Sequence, residues 1–460
     1  MKIKRFLING VYLTLASLIT QALGMVFRIY MSSCIGAEAI GLYQLILTVY
    51  FFAVTASTSG MTLLVTRLVT EAMALNKPHH IKSIVFKCTL AALSTSTMAA
   101  LLLFYGSDFI AENILKQSGT AISIKILSPS LPFIAISACI RGYFYARRQA
   151  IKPAGEQLLE QITEMGVFAL LVGTLAPKGI EYACGAVAIG ATISEAITAL
   201  YSIILYRLDI RKLKVKSKSF SVKKHLCFIA LPVMMSSCLR SGLNIIENAT
   251  IPRGLEKYGN SKSEALSNYG LISGMVMPLL SFPSVVIFSF ASIIIPELSE
   301  VYAKTDKEQI QKIASSTIRT VFCFSIPIAV LFFFFGKEIG LLVYNSDIAG
   351  RYLSMFAVAI PIMYLDSVVD GMLKGLNEQF HYLSYNILDS MIRVIMVILL
   401  IPRFGMSGLI ITTYTGAIFN TGLSLLRLIM VTEIKIKFLW IFVPLIISVI
   451  FSLFLELIIS

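Results

Sequence analysis

The chain has 460 residues, of which 57% are hydrophobic and only 14% are charged. Apolar runs of about 20 residues, the length that crosses a bilayer, recur from end to end and exclude a soluble globular protein. The net charge of +14 is concentrated in short segments between these runs, where it indicates membrane topology rather than a nucleic-acid partner. We therefore expect a multi-pass membrane protein that binds no nucleic acid.

The apolar runs predict an all-α fold with thirteen transmembrane helices. The first run follows "MKIKR" but is longer than the apolar region of a signal peptide, so we interpret it as a membrane helix. The predicted spans are 6–32, 40–66, 83–105, 122–145, 156–176, 183–206, 226–250, 266–296, 313–335, 349–373, 383–401, 406–430 and 438–459.

The distribution of basic residues predicts the orientation of the chain in the cell membrane. If the N-terminus is cytoplasmic, most of the 39 Lys and Arg residues fall on the cytoplasmic side, as the positive-inside rule requires. Thirteen crossings then place the C-terminus outside. Arg28, Arg240 and Arg393 are exceptions, because they lie within predicted spans.

Two halves of the sequence resemble each other, and this predicts the domain organisation. Four residue pairs are separated by 229 positions: Pro132 and Pro361, Gly142 and Gly371, Glu160 and Asp389, and Glu164 and Arg393. Helices 7 to 12 are therefore interpreted as a copy of helices 1 to 6 in the same orientation, which predicts two parallel repeats around a central cavity. The predicted segments are an N-lobe (1–206), a basic cytoplasmic linker (207–225), a C-lobe (226–430) and an extra C-terminal helix (431–460).

The linker contains "RLDIRKLKVKSKSFSVKK", in which eight residues are Lys or Arg and one is Asp. One interpretation is a topology signal that also touches anionic lipid headgroups. The other is a binding site for a specific partner. The sequence leaves both open.

The first helix carries a polar stripe that ends in an arginine. Its members recur every three or four residues and so share one helix face: Gly10, Thr14, Ser17, Gln21, Gly24 and Arg28. The small residues alone fit a packing seam, and Arg28 is also near enough to the outer interface to snorkel. An ionised arginine at bilayer depth costs at least ~2.5 kcal/mol, so we favour a polar cavity lined by Gln21 and Arg28.

The seventh helix shows a similar stripe with Ser237, Arg240, Asn244 and Glu247 or Asn248. Stripes from the two halves would line one cavity, and its arginines suit an anionic ligand because a guanidinium matches phosphate oxygens. The predicted substrate-binding residues are Arg28, Arg240, Gln21, Asn244 and Glu247.

Other acidic residues lie at membrane depth, where ionisable groups are candidates for function. We predict that they couple transport to a cation or proton; they are Glu195, Asp366, Asp370, Glu160 and Glu164. Asp389 and Arg393, four residues apart, either pair with each other or take part in function. The seven cysteines are scattered and show no paired spacing, so we expect no disulfide, metal or cofactor.

Several segments resemble a known family. "ASLITQALGMVFRIYMSSCIGAEAIGLYQLILTVYFFAVTASTSGMTLLVTRLVTEAM", "IRGYFYARRQAIKPAGEQLLEQITEMG" and "IIENATIPRGL" resemble the polysaccharide transporter branch of the multidrug/oligosaccharidyl-lipid/polysaccharide exporter superfamily, especially the stage V sporulation protein B family, which is related to lipid II flippases. The resemblance covers helices 1 to 12, and Arg28 matches a basic position of the family's first helix.

The resemblance implies a flippase-type transporter of two six-helix lobes. Its substrate would be a polyprenyl-diphosphate-linked saccharide, such as a peptidoglycan precursor for the cell wall or spore cortex, moved by alternating access. The partners expected are this lipid-linked oligosaccharide and membrane lipids, and the chain is expected to be a monomer without catalytic residues. The alternatives are a cation-coupled multidrug exporter of the same superfamily and a membrane glycosyltransferase or ligase, which the short outer loops disfavour.

Overall fold

The computed structural model describes residues 2–75, 77–211, 220, 222, 225–303 and 306–459. These ranges are helical throughout apart from short turns and contain no β-strand, which confirms the predicted all-α class. Most of the predicted basic linker lies outside the described residues. The α-helices of the described ranges are α1 (Lys2–Thr58), α2 (Met61–Ala74), α3 (Ile81–Phe109), α4 (Thr120–Leu127), α5 (Ser130–Ala146), α6 (Ile151–Leu175), α7 (Ile180–Arg211), α8 (Leu231–Tyr258), α9 (Lys262–Gly270), α10 (Met277–Ser281), α11 (Ser284–Ala303), α12 (Lys307–Phe334), α13 (Gly336–Tyr344), α14 (Asp347–Ala357), α15 (Ile360–Gly375), α16 (Gln379–Phe404), α17 (Met406–Thr432) and α18 (Leu439–Ile459).

Shorter helical turns connect several of these helices. The described chain has 3-10 turns at Pro78–His80 and Ala176–Lys178, and π-helical turns at Ile110–Leu115, Leu226–Ala230 and Leu271–Val276.

The long helix α1 consists of two helices that meet at Gly36, where the backbone is not helical (φ 77°, ψ 171°). The meeting point lies between the first and second predicted spans. The second predicted span continues to residue 66, but a turn at Gly60 (φ 81°) separates α1 from α2. The structure therefore divides this span into two helices.

Fewer membrane-crossing helices are recognisable in the structure than the sequence predicts. Among the described residues, seven helical segments are long and apolar enough to cross a membrane, or nine if each of two bent helix pairs is one span. This count, made by helix length and hydropathy, does not confirm the thirteen predicted transmembrane helices. One reason is that α1 contains two predicted spans within one segment. Another is that the predicted span 266–296 is divided among α9, a π-helical turn, α10 and α11. The chain is nevertheless a multi-pass helical membrane protein.

The described chain forms two compact units, Met1–Ala249 and Thr250–Ser460. In the first unit α5 packs against α2, α3 and α7. Its buried residues Cys139 and Tyr143 form one hydrophobic cluster with Leu64 and Ile84. The predicted lobe boundaries at 206 and 226 stay a prediction.

In the second unit α12 packs against α11, α14, α15 and α18. α15 also packs against α17, and α17 against α16. The predicted extra C-terminal helix corresponds to α18, which covers one side of α12.

Side-chain caps fix the starts of helices in the second unit. The Ser261 hydroxyl accepts a hydrogen bond from the Glu264 backbone N–H (3.2 Å), and the Glu264 carboxylate accepts one from the Ser261 backbone N–H (2.9 Å). This capping box holds the pKa of Glu264 below its usual value. Asp306 and Ser346 cap α12 and α14 with one bond each, because their side chains accept hydrogen bonds from the backbone N–H groups of Gln309 and Ala349.

One bend occurs at equivalent places in the two halves. α4 and α5 form a helix pair bent by 44°, and α14 and α15 a pair bent by 57°. The second helices of these pairs end at Ala146 and Gly375, which differ by the predicted offset of 229. Pro132 and Pro361 lie in the first turns of these helices, where a missing backbone N–H is tolerated. The recurring bend supports the predicted repeat.

Candidate transport site

Four carboxylates from two helices come together inside the first unit. α6 carries Glu156, Glu160 and Glu164 at intervals of four residues, which places them along one helix face. α7 contributes Glu195, whose side chain interacts with that of Glu160 and lies within electrostatic reach of Glu156 and Glu164. We call these four residues the N-cluster.

Arg141 of α5 is a positive charge beside the N-cluster. Its Nη1 atom lies 3.5 Å from Oε1 of Glu156, whose side chain is only 2% exposed. The same guanidinium acts electrostatically on Glu160 and Glu195. A buried carboxylate is costly unless a counter-charge lies beside it, so Arg141 stabilises the ionised form of Glu156.

A close approach of α6 and α7 brings the N-cluster together. A Cβ atom at Gly190 of α7 would lie 3.1 Å from the backbone oxygen of Glu164. Small residues at helix interfaces in membranes permit such approaches. The glycine therefore helps to set the distance between Glu195 and the α6 carboxylates.

Arg28 lies half-buried in α1, and its charge acts on Glu164 and Tyr43. Its guanidinium makes no hydrogen bond or ion pair with any residue that the structure describes. Gln21, seven residues earlier, is exposed. The side chains of Gly10, Thr14 and Ser17 lie outside the described part of the chain. Arg28 is thus near the N-cluster while its donors are not used by a described residue.

The predicted stripe on the seventh span lies on α8. Arg240 and Asn244 are exposed, and the Asn248 amide donates hydrogen bonds to the Asn244 backbone oxygen (2.9 Å) and side-chain oxygen (2.7 Å). Glu247 is 7% exposed. Within the described ranges, the Arg240 guanidinium makes no hydrogen bond or ion pair.

The second unit contains a different polar cluster, built on α15. The Asn420 amide donates to both Asp366 carboxylate oxygens at 3.1 Å. Asp370 accepts hydrogen bonds from the Asn386 amide (3.0 Å) and the Ser424 hydroxyl (3.2 Å). We call these five residues the C-cluster. The donors of these four hydrogen bonds are neutral, whereas an arginine lies beside the N-cluster.

Asp389 and Arg393 face the same helix, α17. A Cβ atom at Gly416 would lie 3.0 Å from Asp389 Oδ1 and 2.9 Å from Arg393 Cδ. Asp389 also acts electrostatically on Asp366. Both interpretations of this pair, mutual pairing and a functional role, therefore stay open.

The structure adds residues that the sequence analysis missed. Glu156 had a visible signal, because it precedes Glu160 by four residues. Arg141 lies at the end of a predicted span, where basic residues are typical of topology. Asn386 and Asn420 are neutral, so a search for intramembrane charge does not find them. The predicted coupling residues do meet within each unit: Glu160, Glu164 and Glu195 in the first, and Asp366 and Asp370 in the second.

The chain is similar to several known proteins and protein families. A family model described as polysaccharide biosynthesis protein matches residues 6–302, and one described as lipid II flippase MurJ matches residues 274–459. Stage V sporulation protein B of Bacillus subtilis (strain 168) is 25% identical over 449 residues, covering 94% of this chain and 85% of that protein.

Solved structures show the same fold. The lipid II flippase MurJ in an inward closed conformation matches with a TM-score of 0.69 at 15% identity and covers 98% of both chains. An inward-facing multidrug resistance MATE family transporter of the MOP superfamily matches with a TM-score of 0.72 at 13% identity, covering 93% of this chain and all of that chain (100%). These findings confirm the family resemblance found in the sequence.

Proposed function

This chain belongs to the polysaccharide biosynthesis protein family, and from that premise we propose that it is a non-enzymatic, flippase-type transporter of a polyprenyl-diphosphate-linked saccharide. The MurJ family match and the similarity to stage V sporulation protein B support a lipid-linked cell-wall precursor as substrate. Peptidoglycan precursor is our first candidate, and spore cortex synthesis is a process it would serve. We propose that the chain acts as a monomer, by alternating access, with a cytoplasmic N-terminus.

The observation that carries this proposal is Arg28 in a membrane helix with no hydrogen bond or ion pair from a described residue. A guanidinium in such a place needs compensation, and Glu164 supplies only part of it through its nearby charge. A diphosphate would complete the compensation, because its oxygens match the planar donor fork. Arg240 offers a second set of unused donors, and Gln21, Asn244 and Glu247 would contact the adjoining saccharide.

We further propose that the carboxylates of both clusters couple transport to a cation or proton. An empty transporter with exposed Arg28 and Arg240 would carry positive charge, and an inside-negative potential acts on it with ~2.3 kcal/mol per charge per 100 mV. Glu195 and Asp366 could neutralise that charge or exchange a cation for the lipid. Glu160, Glu164 and Asp370 adjoin them in the same clusters.

A flipping assay in sealed vesicles tests the proposal with a fluorescent polyprenyl-diphosphate disaccharide and an impermeant quencher. A charge-assisted hydrogen bond contributes ~1.5–3 kcal/mol, so Arg28→Ala and Arg240→Ala should each slow flipping about tenfold or more. Arg28→Lys should recover part of the rate, because lysine keeps the charge but lacks the fork. Glu195→Gln and Asp366→Asn should change the response of the rate to an imposed potential or pH gradient.

The matched control is Arg351→Ala, which removes an exposed arginine paired with Asp347 and should leave the rate unchanged. Normal flipping by both Arg28→Ala and Arg240→Ala, at normal protein content, would refute the proposed diphosphate contacts. If Glu195→Gln and Asp366→Asn leave the response of the rate to potential and pH unchanged, these carboxylates are structural.

A cation-coupled multidrug exporter is the second candidate, favoured by the buried carboxylates of both units and by the fold shared with a multidrug transporter. The same vesicles distinguish it with a lipophilic cationic dye. Dye transport that needs Glu195 but not Arg28 would support the exporter, whereas diphosphate-lipid flipping that needs Arg28 supports the flippase.

A further inference from the structure

A cavity of about 810 Å³ lies in the first unit among α3, α5 and α7, and none of the N-cluster residues lines it. Its walls are mainly apolar, with Phe86 from α3, Ile136 and Ile140 from α5, and Ile203 from α7. Phe86 is 68% exposed, so the cavity reaches the outer surface of the unit. Its size falls within the ~300–1,000 Å³ of typical ligand pockets.

One end of this cavity is basic. Lys82, in the first turn of α3, and Arg207, near the end of α7, both line it. This end is the predicted cytoplasmic one. Neither side chain makes an ion pair or hydrogen bond with a residue in the described ranges, so their positive charges are available to a ligand.

The acidic residue nearest to Arg207 in sequence does not neutralise it. Asp209 is 5% exposed and accepts a hydrogen bond from the Tyr143 hydroxyl at 2.7 Å. Its two oxygens also pair with Arg147 (3.1 Å) and Lys152 (3.3 Å). The only Asp or Glu between residues 207 and 224 is thus engaged with α5 and α6.

Described residues at two points of the basic linker adjoin the same cavity. α7, which lines the cavity up to Ile210, ends at Arg211. The Phe220 backbone N–H donates a hydrogen bond to the Ser83 hydroxyl (3.1 Å), and the Phe220 carbonyl accepts one from Lys87 Nζ (2.9 Å). The sequence between these two points, residues 212–219, contains four lysines.

We propose that this cavity binds an anionic glycerophospholipid of the cytoplasmic leaflet. An acyl chain would occupy the apolar part beside Phe86, Ile136 and Ile203, and the phosphate would contact Lys82 and Arg207. Basic pockets between membrane helices on the cytoplasmic side favour such lipids because charge and apolar surface are recognised together. A zwitterionic lipid would fill the same apolar space without matching the two positive charges. This site is separate from the proposed substrate contacts at Arg28.

Fluorescence quenching tests the proposal on the full-length protein. The single tryptophan is removed with Trp440→Phe, and Phe86→Trp places a reporter at the cavity. The protein is reconstituted in two kinds of vesicle, one with brominated phosphatidylglycerol and one with brominated phosphatidylcholine. The fraction of brominated lipid is the same in both. We expect the brominated phosphatidylglycerol to quench more strongly, by about twofold or more, because its charge matches the basic end. Adding Lys82→Gln and Arg207→Gln should remove the difference.

Leu170→Trp supplies the matched control, because Leu170 of α6 is 80% exposed and lies outside the cavity; both lipids should quench it equally. Equal quenching at Phe86→Trp would show ordinary boundary lipid and overturn the proposal. Relief of quenching by the polyprenyl-diphosphate disaccharide would assign the cavity to the transport substrate instead.

A second measurement does not depend on the reporter. Protein purified in mild detergent from membranes that contain phosphatidylglycerol should retain this lipid, as measured by mass spectrometry. The Lys82→Gln, Arg207→Gln double variant should lose most of it while keeping the helical content of the parent protein. Equal retention by a correctly folded double variant would contradict the proposal.

Discussion

At the scale of single residues, the pair of Arg141 and Glu156 shows how this chain keeps charge inside a helical bundle. Glu156 is almost fully buried, and Arg141 is 21% exposed at its side chain. The arginine can therefore reach solvent if its partner is lost, whereas the carboxylate cannot. The two members of the pair should tolerate substitution differently.

We predict that Arg141→Ala destabilises the protein by roughly 3–5 kcal/mol, the cost of an uncompensated buried charge. Glu156→Gln should cost less, because it removes the buried charge and leaves the partly exposed arginine. Thermal unfolding of the purified protein in detergent at constant pH measures both.

Arg67→Ala is the control for this pair. Arg67 pairs with Glu71 at 3.0 Å on the surface, with side chains 60% and 49% exposed, and such a pair contributes under about 1 kcal/mol. Losses of equal size for Arg141→Ala and Arg67→Ala would contradict the buried role of Arg141.

Part of this site could be predicted from the sequence, because a charged residue within an apolar run is easy to recognise. Glu160, Glu164 and Glu195 were recognisable in that way, and they meet in the N-cluster. Arg141 was not, because a basic residue at a span end fits the positive-inside rule equally well. Asn420 escaped notice because its contribution to Asp366 is a hydrogen bond, which only the packing of α15 against α17 creates.

At the scale of helices, the crossing of α2 and α5 depends on one close approach. A Cβ atom at Gly142 would lie 2.6 Å from the Thr62 backbone oxygen and 3.0 Å from Val65 Cβ. Hydrogen bonds join the helices at this crossing: the Thr66 hydroxyl donates to the Gly142 carbonyl at 3.0 Å and the Thr62 hydroxyl to the Ala138 carbonyl at 3.1 Å. A larger residue would separate the helices and weaken both bonds.

We predict that Gly142→Ala lowers stability by about 1–3 kcal/mol, the usual cost of overpacking. Gly173→Ala in α6 is the control, because nothing lies within 4 Å of its would-be Cβ. There the better helix propensity of alanine should make the change neutral or stabilising by up to ~1 kcal/mol. Thermal unfolding of the two variants, measured side by side, gives the change in stability for each. A loss of stability in Gly173→Ala as large as that in Gly142→Ala would contradict the packing argument.

Helix boundaries divide into those that sequence can predict and those that it cannot. The joint near Gly36 follows the local rule for glycine and falls between two predicted spans. The bends beside Pro132 and Pro361 fall inside the predicted spans 122–145 and 349–373, because a bend within an apolar run does not change its hydropathy. The division of the predicted span 266–296 does not follow from hydropathy. The π-helical turn at Leu271–Val276 carries no charge, and the residues around it are mainly apolar, so hydropathy alone does not show the break.

At the scale of the whole chain, the repeat predicts the positions of buried polar residues better than their charges. Arg141 and Asp370 occupy equivalent positions at the offset of 229, with opposite charge. Glu164 and Arg393 are a second such pair. The two halves thus share the order of their helices and the positions of polar residues. The residues that pair with each carboxylate differ between the halves and follow only from the packing within each unit.

The proposed orientation gives a prediction for the intact cell. In a variant without native cysteines, Arg211→Cys should react with an impermeant maleimide only after permeabilisation, because it borders the basic linker that the positive-inside rule keeps cytoplasmic. Lys178→Cys, in the exposed turn between α6 and α7, should react in intact cells. Reaction of Arg211→Cys alone in intact cells would reverse the proposed topology.

The joint at Gly36 has a consequence that concerns handedness rather than space. Its backbone angles belong to a region that is essentially restricted to glycine among encoded residues, yet nothing lies within 4 Å of the place where a Cβ atom would stand. An L-alanine there would be strained by roughly 1–3 kcal/mol without touching a neighbour. A D-alanine, introduced by semisynthesis, prefers the mirror-image region and would suit the same backbone. The requirement at this position is for an achiral or mirror-image unit, and glycine is the one such residue that the ribosome ordinarily supplies.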